Sequence, residues 1–181
     1  MQETSGVVEN NLKERPEIPA SWLTAVSGPE GKRKSVIFYY ADLSPLYTDG
    51  EKMLKKIADV LKTFEENRGS VTVLWHQDPN LKRFLSVQKP ELWGRYEQLM
   101  QAFSDAGYGI LDDTAAEDAD YFEQIRTAYP GPGPTPAERR AIDFSDAFYG
   151  DGGFLSNCFR NEGKPVMIQN PDILCGLQET V

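Results

Sequence analysis

Histidine is nearly absent from this chain of 181 residues, with His76 its single copy, and cysteine is confined to Cys158 and Cys175. Two thiols cannot build a Cys-rich zinc site or a disulfide scaffold, and they read as reduced thiols of a cytoplasmic protein. No run of about 18 apolar residues occurs, which excludes a helical membrane span and leaves at most a peripheral membrane association. The stretch Met1 to Ser5 lacks both the basic start and the apolar core of a signal peptide. Positive charge is also scarce: 19 Lys and Arg stand against 28 Asp and Glu, for a net charge of −9. Such a chain repels polyanions, so nucleic acid is not an expected partner. What remains is an ordinary apolar fraction of 40%, enough for one domain with its own core.

Five short apolar runs, rich in β-branched and aromatic residues, predict strands at about 35–40, 71–76, 108–111, 146–149 and 165–169. Between them lie helical patterns with clear punctuation. A capping-box pair, Thr48 and Glu51, precedes the stripe Met53, Leu54, Ile57, Val60, Leu61 and Phe64. Pro90 opens another helix, with Trp93, Tyr96 and Phe103 on one face and Gly107 as its stop. Two more capping boxes, Thr114 with Glu117 and Thr135 with Glu138, flank the breaker Pro130-Gly131-Pro132-Gly133-Pro134. The expected fold class is α/β: a Rossmann-like, five-stranded parallel sheet flanked by helices. Residues 1–15 read as a polar lead-in or linker. The domain covers 16–172, with a helical insertion at 114–140, and 173–181 form a tail.

Open parallel sheets bind ligands beyond the carboxyl ends of their strands. The turn Gly150-Asp151-Gly152-Gly153-Phe154 is the best anion site, since glycines admit close approach and a helix follows. It lacks the Lys and Ser/Thr of a P-loop. His76, directly after the second strand, is a candidate general base or phosphate contact, or else a polar strand end. The aspartates Asp42, Asp78, Asp113 and Asp151 fall at the same rim. They can hold Mg²⁺ beside a phosphate, with Asp113 and Asp151 the metal candidates, or serve as caps and turn formers, the commoner use.

Several blocks carry a resemblance: Glu17-Ile18-Pro19-Ala20-Ser21-Trp22-Leu23, Lys34 to Tyr39, Pro90-Glu91-Leu92-Trp93, Gly109-Ile110-Leu111-Asp112-Asp113, Ser145 to Asp151, and Gly163 to Asn170. In order over residues 15–172, they resemble the C-terminal half of clostridial proteins similar to CDP-glycerol glycerophosphotransferases, the teichoic-acid polymerase type. The resemblance implies one Rossmann-like domain of a GT-B transferase, binding a nucleotide-diphosphate donor such as CDP-glycerol. Its partner is an N-terminal Rossmann domain that this chain lacks, so it binds without turnover. The donor-phosphate candidates are the turn residues Gly150, Asp151, Gly152, Gly153 and Phe154, with Ser44 delivered after the first strand. The family pattern departs at three loops. Asp78 stands where a histidine is usual, and His76, two residues earlier, is expected to point to the other face. Gly152, Gly153 and Phe154 replace an aromatic residue and two serines, and Tyr40-Ala41-Asp42 replaces Asn-Thr-Ser.

Three functions compete on these grounds. The first is the donor-binding domain, with His76 and Asp78 as catalytic candidates. The second is a degenerate, non-catalytic α/β module for binding or assembly. The third is a Mg²⁺-dependent phosphate-handling enzyme.

Overall fold

The computed structural model of the protein describes residues 17–113 and 133–174. The helix expected from Thr114, most of the Pro-Gly loop, the lead-in at 1–15 and most of the tail lie outside those residues. The apolar runs form β1 (Ser35–Tyr40), β2 (Val71–His76), β3 (Gly109–Asp112), β4 (Ala147–Gly150) and β5 (Val166–Ile168). Every pairing is parallel, in the order β3-β2-β1-β4-β5. The architecture is therefore the Rossmann-like α/β sheet expected from the sequence, with β3 and β4 shifted by one residue.

The helices are α1 (Ala20–Ala25), α2 (Leu43–Thr48), α3 (Gly50–Glu66), α4 (Pro79–Gln88), α5 (Pro90–Ala106), α6 (Pro136–Phe144) and α7 (Phe154–Asn161). Strand side chains alternate, so the sheet has two distinct inner surfaces. On the first, Tyr39, Val73 and Trp75 meet α3 and α5 through Met53, Ile57, Tyr96 and Phe103. Trp75 stands edge-on to both Tyr96 and Phe103 at 5.5 Å, a geometry that adds about 0.5–1.5 kcal/mol per pair beyond area burial. On the second, Val36, Phe38, Leu74, Ile110 and Phe148 meet α1, α6 and α7 through Trp22, Ile142 and Phe159. The chain winds outward from β1 to β3, then returns to the other side of β1 with β4. The strand order therefore reverses between β1 and β4.

Local punctuation was read correctly at three helix ends. Pro90 begins α5, Gly107 ends it in the left-handed conformation at φ 69°, and Thr135 and Glu138 form the reciprocal capping box of α6. The pair Thr48 and Glu51 does not cap α3. Thr48 instead ends α2, its hydroxyl donating to the Ser44 carbonyl at 3.0 Å, and Asp49 precedes α3. Helix α4 carries only two buried apolar residues, Leu81 and Leu85, too short a stripe to announce itself in the sequence. Among the described residues no helix is long and apolar enough to cross a membrane.

Candidate functional site

Parallel register sets His76 directly beside Asp112, the last residues of β2 and β3, on the second face of the sheet. His76 Nδ1 lies 2.7 Å from Asp112 Oδ2, and the two side chains are 3% and 2% exposed. An ionised carboxylate only accepts, so Nδ1 carries the proton and donates it. The imidazole stacks on Phe38 at 5.1 Å, which fixes its plane. From α6, the buried Arg140 closes the other side of the carboxylate. Its Nη2 is 3.8 Å from Asp112 Oδ1, its guanidinium lies 4.8 Å over the Trp22 ring, and Nη1 donates to the Glu17 carbonyl at 3.0 Å. Burial pulls the His76 pKa down, but the hydrogen bond and charge of Asp112, aided by Glu138 and Asp78, raise it overall above 6.5. His76 Nε2 has no hydrogen-bond partner among the described residues.

A cavity of about 340 Å³ opens at the carboxyl ends of the strands, where the strand order reverses. His76, Tyr40, Asp42 and Asp78 form one wall, and Gly152, Gly153 and Phe154 form the opposite one at the start of α7. Thr135 and Glu138, from the capping box of α6, also line it. At the first turn of α7 the Gly153 N–H donates to Ser156 Oγ at 2.9 Å. The following amides of a helix have no intrahelical acceptor, so the N-terminus keeps its positive end toward the cavity. Gly150 cannot carry a side chain: its φ is 146°, and a Cβ would lie 2.1 Å from the Tyr40 carbonyl. At Gly153 a Cβ would meet nothing within 4 Å, so that surface is open.

The expected site residues divide into three groups. His76, Asp78, Gly152, Gly153 and Phe154 share the cavity, with Gly150 beneath the turn. His76 and Asp78 therefore face the same space, against the expectation of opposite faces; residues two apart on a strand share a side. Asp78 also caps α4, accepting the Asn80 N–H at 2.9 Å. Asp151 is a structural tie rather than a wall of the cavity. One oxygen accepts the Asp42 N–H at 2.8 Å and the other accepts Gln169 Nε2 at 3.0 Å, joining the ends of β1 and β4 to the residue after β5. Burial raises its pKa above the ordinary carboxylate value, against the pull of those bonds. Ser44 lies exposed on α2 outside the lining, and Asp113 is not part of it. Among the described residues no three His, Cys, Asp or Glu side chains converge as a metal site.

Sequence reasoning missed Tyr40, Arg140 and the pairing of Asp112 with His76. The pair follows from register, which alternation alone does not supply. Comparison with protein families, with curated proteins and with solved structures finds no match to this chain.

Proposed function

We propose that this domain binds a nucleotide-diphosphate donor such as CDP-glycerol, as half of a transferase that transfers glycerol phosphate or a sugar to a polymer acceptor. The observation that carries the reading is the cavity itself, where the α7 N-terminus faces a buried histidine whose unpartnered Nε2 remains for a ligand. With Nδ1–H held by Asp112, protonated His76 presents an Nε2–H donor to a phosphate oxygen, and neutral His76 presents a base. The raised pKa shifts the balance toward the donor form. A charge-assisted hydrogen bond of this kind contributes about 1.5–3 kcal/mol. The acceptor and the second Rossmann-like domain that the resemblance implies would close over the same edge of the sheet.

Calorimetric titration of CDP and CDP-glycerol, with and without magnesium, tests the reading. Wild type should bind, and His76→Gln should weaken binding by about tenfold or more through loss of the charged donor. Gly153→Val should weaken it too, since its added side chain projects into open space over the turn without disturbing the fold. No binding by wild type at millimolar ligand under either condition would end the donor reading. A non-catalytic α/β module would then be the better account, and one observation already leans that way. Among the described residues the cavity is lined by Asp42, Asp78 and Glu138 but by no lysine or arginine. An uncompensated carboxylate about 4 Å from a phosphate costs roughly 4 kcal/mol at an effective dielectric of about 20.

A further inference from the structure

Asp112 stands between two buried partners, one with a permanent charge and one whose charge depends on a proton. His76 Nδ1 donates to its Oδ2 at 2.7 Å, and Arg140 Nη2 lies 3.8 Å from its Oδ1, with all three side chains 4% exposed or less. Uncompensated charge is costly at that depth, so the sum over the cluster decides which protonation state it favours. With a neutral imidazole, the guanidinium and the carboxylate cancel. With a protonated one, the cluster carries a single positive charge, on the ring whose Nε2 meets the cavity. Removing Arg140 inverts the balance: a neutral imidazole then leaves Asp112 a lone buried anion, and the carboxylate holds the ring protonated. The other titratable groups that the described residues set around the ring are Glu138 of α6, Asp42 after β1, Asp78 after β2 and the Tyr40 phenol. From α7 come Phe154 and Leu155, which carry no charge. The three rim carboxylates are half-buried and pull in the same direction as Asp112. Arg140 is the charge that opposes them.

We propose that Arg140 is a positioning residue for His76: it lets the imidazole exist unprotonated without stranding Asp112, so that an oxyanion arriving at Nε2 draws a proton onto the ring. The proton comes from solvent, forms the Nε2–H bond that the anion accepts, and returns to solvent when the anion leaves. The arriving negative charge offsets the positive charge that protonation creates, so the two events favour each other. A histidine held protonated by Asp112 alone could donate but not act as a base, and Arg140 keeps both forms within reach. Its placement suits an indirect part. Arg140 is not in the cavity lining, and its guanidinium is fixed over the Trp22 ring at 4.8 Å and by the bond from Nη1 to the Glu17 carbonyl. The coupling rests on the phosphate reading of the cavity; the effect of Arg140 on His76 does not.

His76 is the chain's single histidine, so its Hε1 resonance reports its titration without competitors. In the absence of ligand, Arg140→Met should move the His76 midpoint up by about one pH unit or more. Methionine keeps an unbranched stem along Trp22 and removes the charge, whereas Arg140→Lys keeps the charge and should bring the midpoint back toward wild type. Should Arg140→Met not fold, Arg140→Gln supplies the same loss of charge with a hydrogen-bonding head. Calorimetry with CDP, about one pH unit above the wild-type midpoint and in buffers of high and low ionisation enthalpy, counts the protons taken up. Wild type should take up about half a proton or more per CDP bound. Arg140→Met, already more protonated at that pH, should take up less. A midpoint unchanged or lowered in both uncharged variants overturns the role of Arg140. CDP binding by wild type without proton uptake overturns the coupling. A midpoint raised by loss of the Arg140 charge, with no CDP binding by wild type, upholds Arg140 as the residue that sets His76 and overturns the nucleotide reading instead.

Discussion

The two faces of the sheet solve the same burial problem with opposite chemistry. On the first face, Tyr39, Val73 and Trp75 pack against Ile57, Tyr96 and Phe103. The one buried cation there among the described residues, Lys56, reaches out to the Ile173 carbonyl at 2.6 Å. On the second face, at the same depth, lie Asp112, His76 and Arg140, each 5% exposed or less, wedged between Phe38 and Trp22. Apolar packing needs no compensation, whereas buried charges need partners on every side and gain little net stability even when they find them. The second face is therefore the one shaped by something other than stability, and it is the face whose upper end opens into the cavity. Truncating a core residue of the first face should give the largest stability loss. Phe103→Ala removes a ring that touches both Trp75 and Tyr108, and should cost about 3–5 kcal/mol in urea unfolding. That loss should be the same at pH 5.5 and at pH 8.5, roughly, because no titrating group touches Phe103's ring cluster across that range.

On the second face the matching single change acts through charge. Asp112→Asn is nearly isosteric, keeps an oxygen for His76 and leaves Arg140 beside a neutral partner. It should cost about 1.5–3 kcal/mol by the same measurement, less than Phe103→Ala. A cost below about 0.5 kcal/mol would mean that the cluster is solvated in the native state, and the contrast between the faces would disappear.

The parallel sheet was legible because its strands are short, β-branched and bounded by strong breakers; the first face was legible because α3 and α5 carry full apolar stripes. Pro90, Gly107 and the Thr135–Glu138 pair worked for a local reason: each fixes its own backbone regardless of what packs on it. The site was only half legible. The Gly150–Phe154 turn announces itself through composition, and His76 through its rarity. The bond from His76 to Asp112 spans 36 residues and depends on how β2 and β3 align, information that no single strand contains. Ser44 was misplaced because the chain turns into α2 straight after β1, which carries the hydroxyl out to solvent. Arg140 was invisible, since a charged residue on a helix is ordinarily on its solvated side.

A smaller effect separates the faces by pH. The folded pKa of His76 lies above its unfolded value near 6.5. The protonated ring therefore adds stability in full below that value, and the contribution disappears as pH rises through the folded pKa. Wild-type unfolding free energy should fall as pH rises from 6.5 through the folded pKa, and Asp112→Asn should flatten or invert the slope by removing the group that raises the pKa. The His76 Hε1 shift, followed by NMR over the same range, should report the same midpoint. A folded pKa below 6.5 would show that burial outweighs Asp112.

The smallest expected change in stability comes from making the second face resemble the first. Replacing a buried ion cluster with apolar residues of similar volume is often neutral or favourable, because the desolvation cost of the charges goes with them. In His76→Leu/Asp112→Leu/Arg140→Met the leucines take up strand-end positions against Phe38. The methionine keeps an unbranched chain along Trp22, although the bond to the Glu17 carbonyl is lost. The triple variant should lie within about 1 kcal/mol of wild type in urea unfolding, well above Asp112→Asn, which removes the carboxylate charge facing the buried Arg140 while keeping the guanidinium. Its unfolding free energy should no longer change between pH 6 and 8, roughly, since the only titrating group of the cluster in that range is gone. CDP binding should be lost, because the cavity keeps its helix N-terminus but no longer has a donor at Nε2. If instead the triple variant is as unstable as Asp112→Asn, the buried charges serve the fold, and the second face is a core like the first, built from different materials.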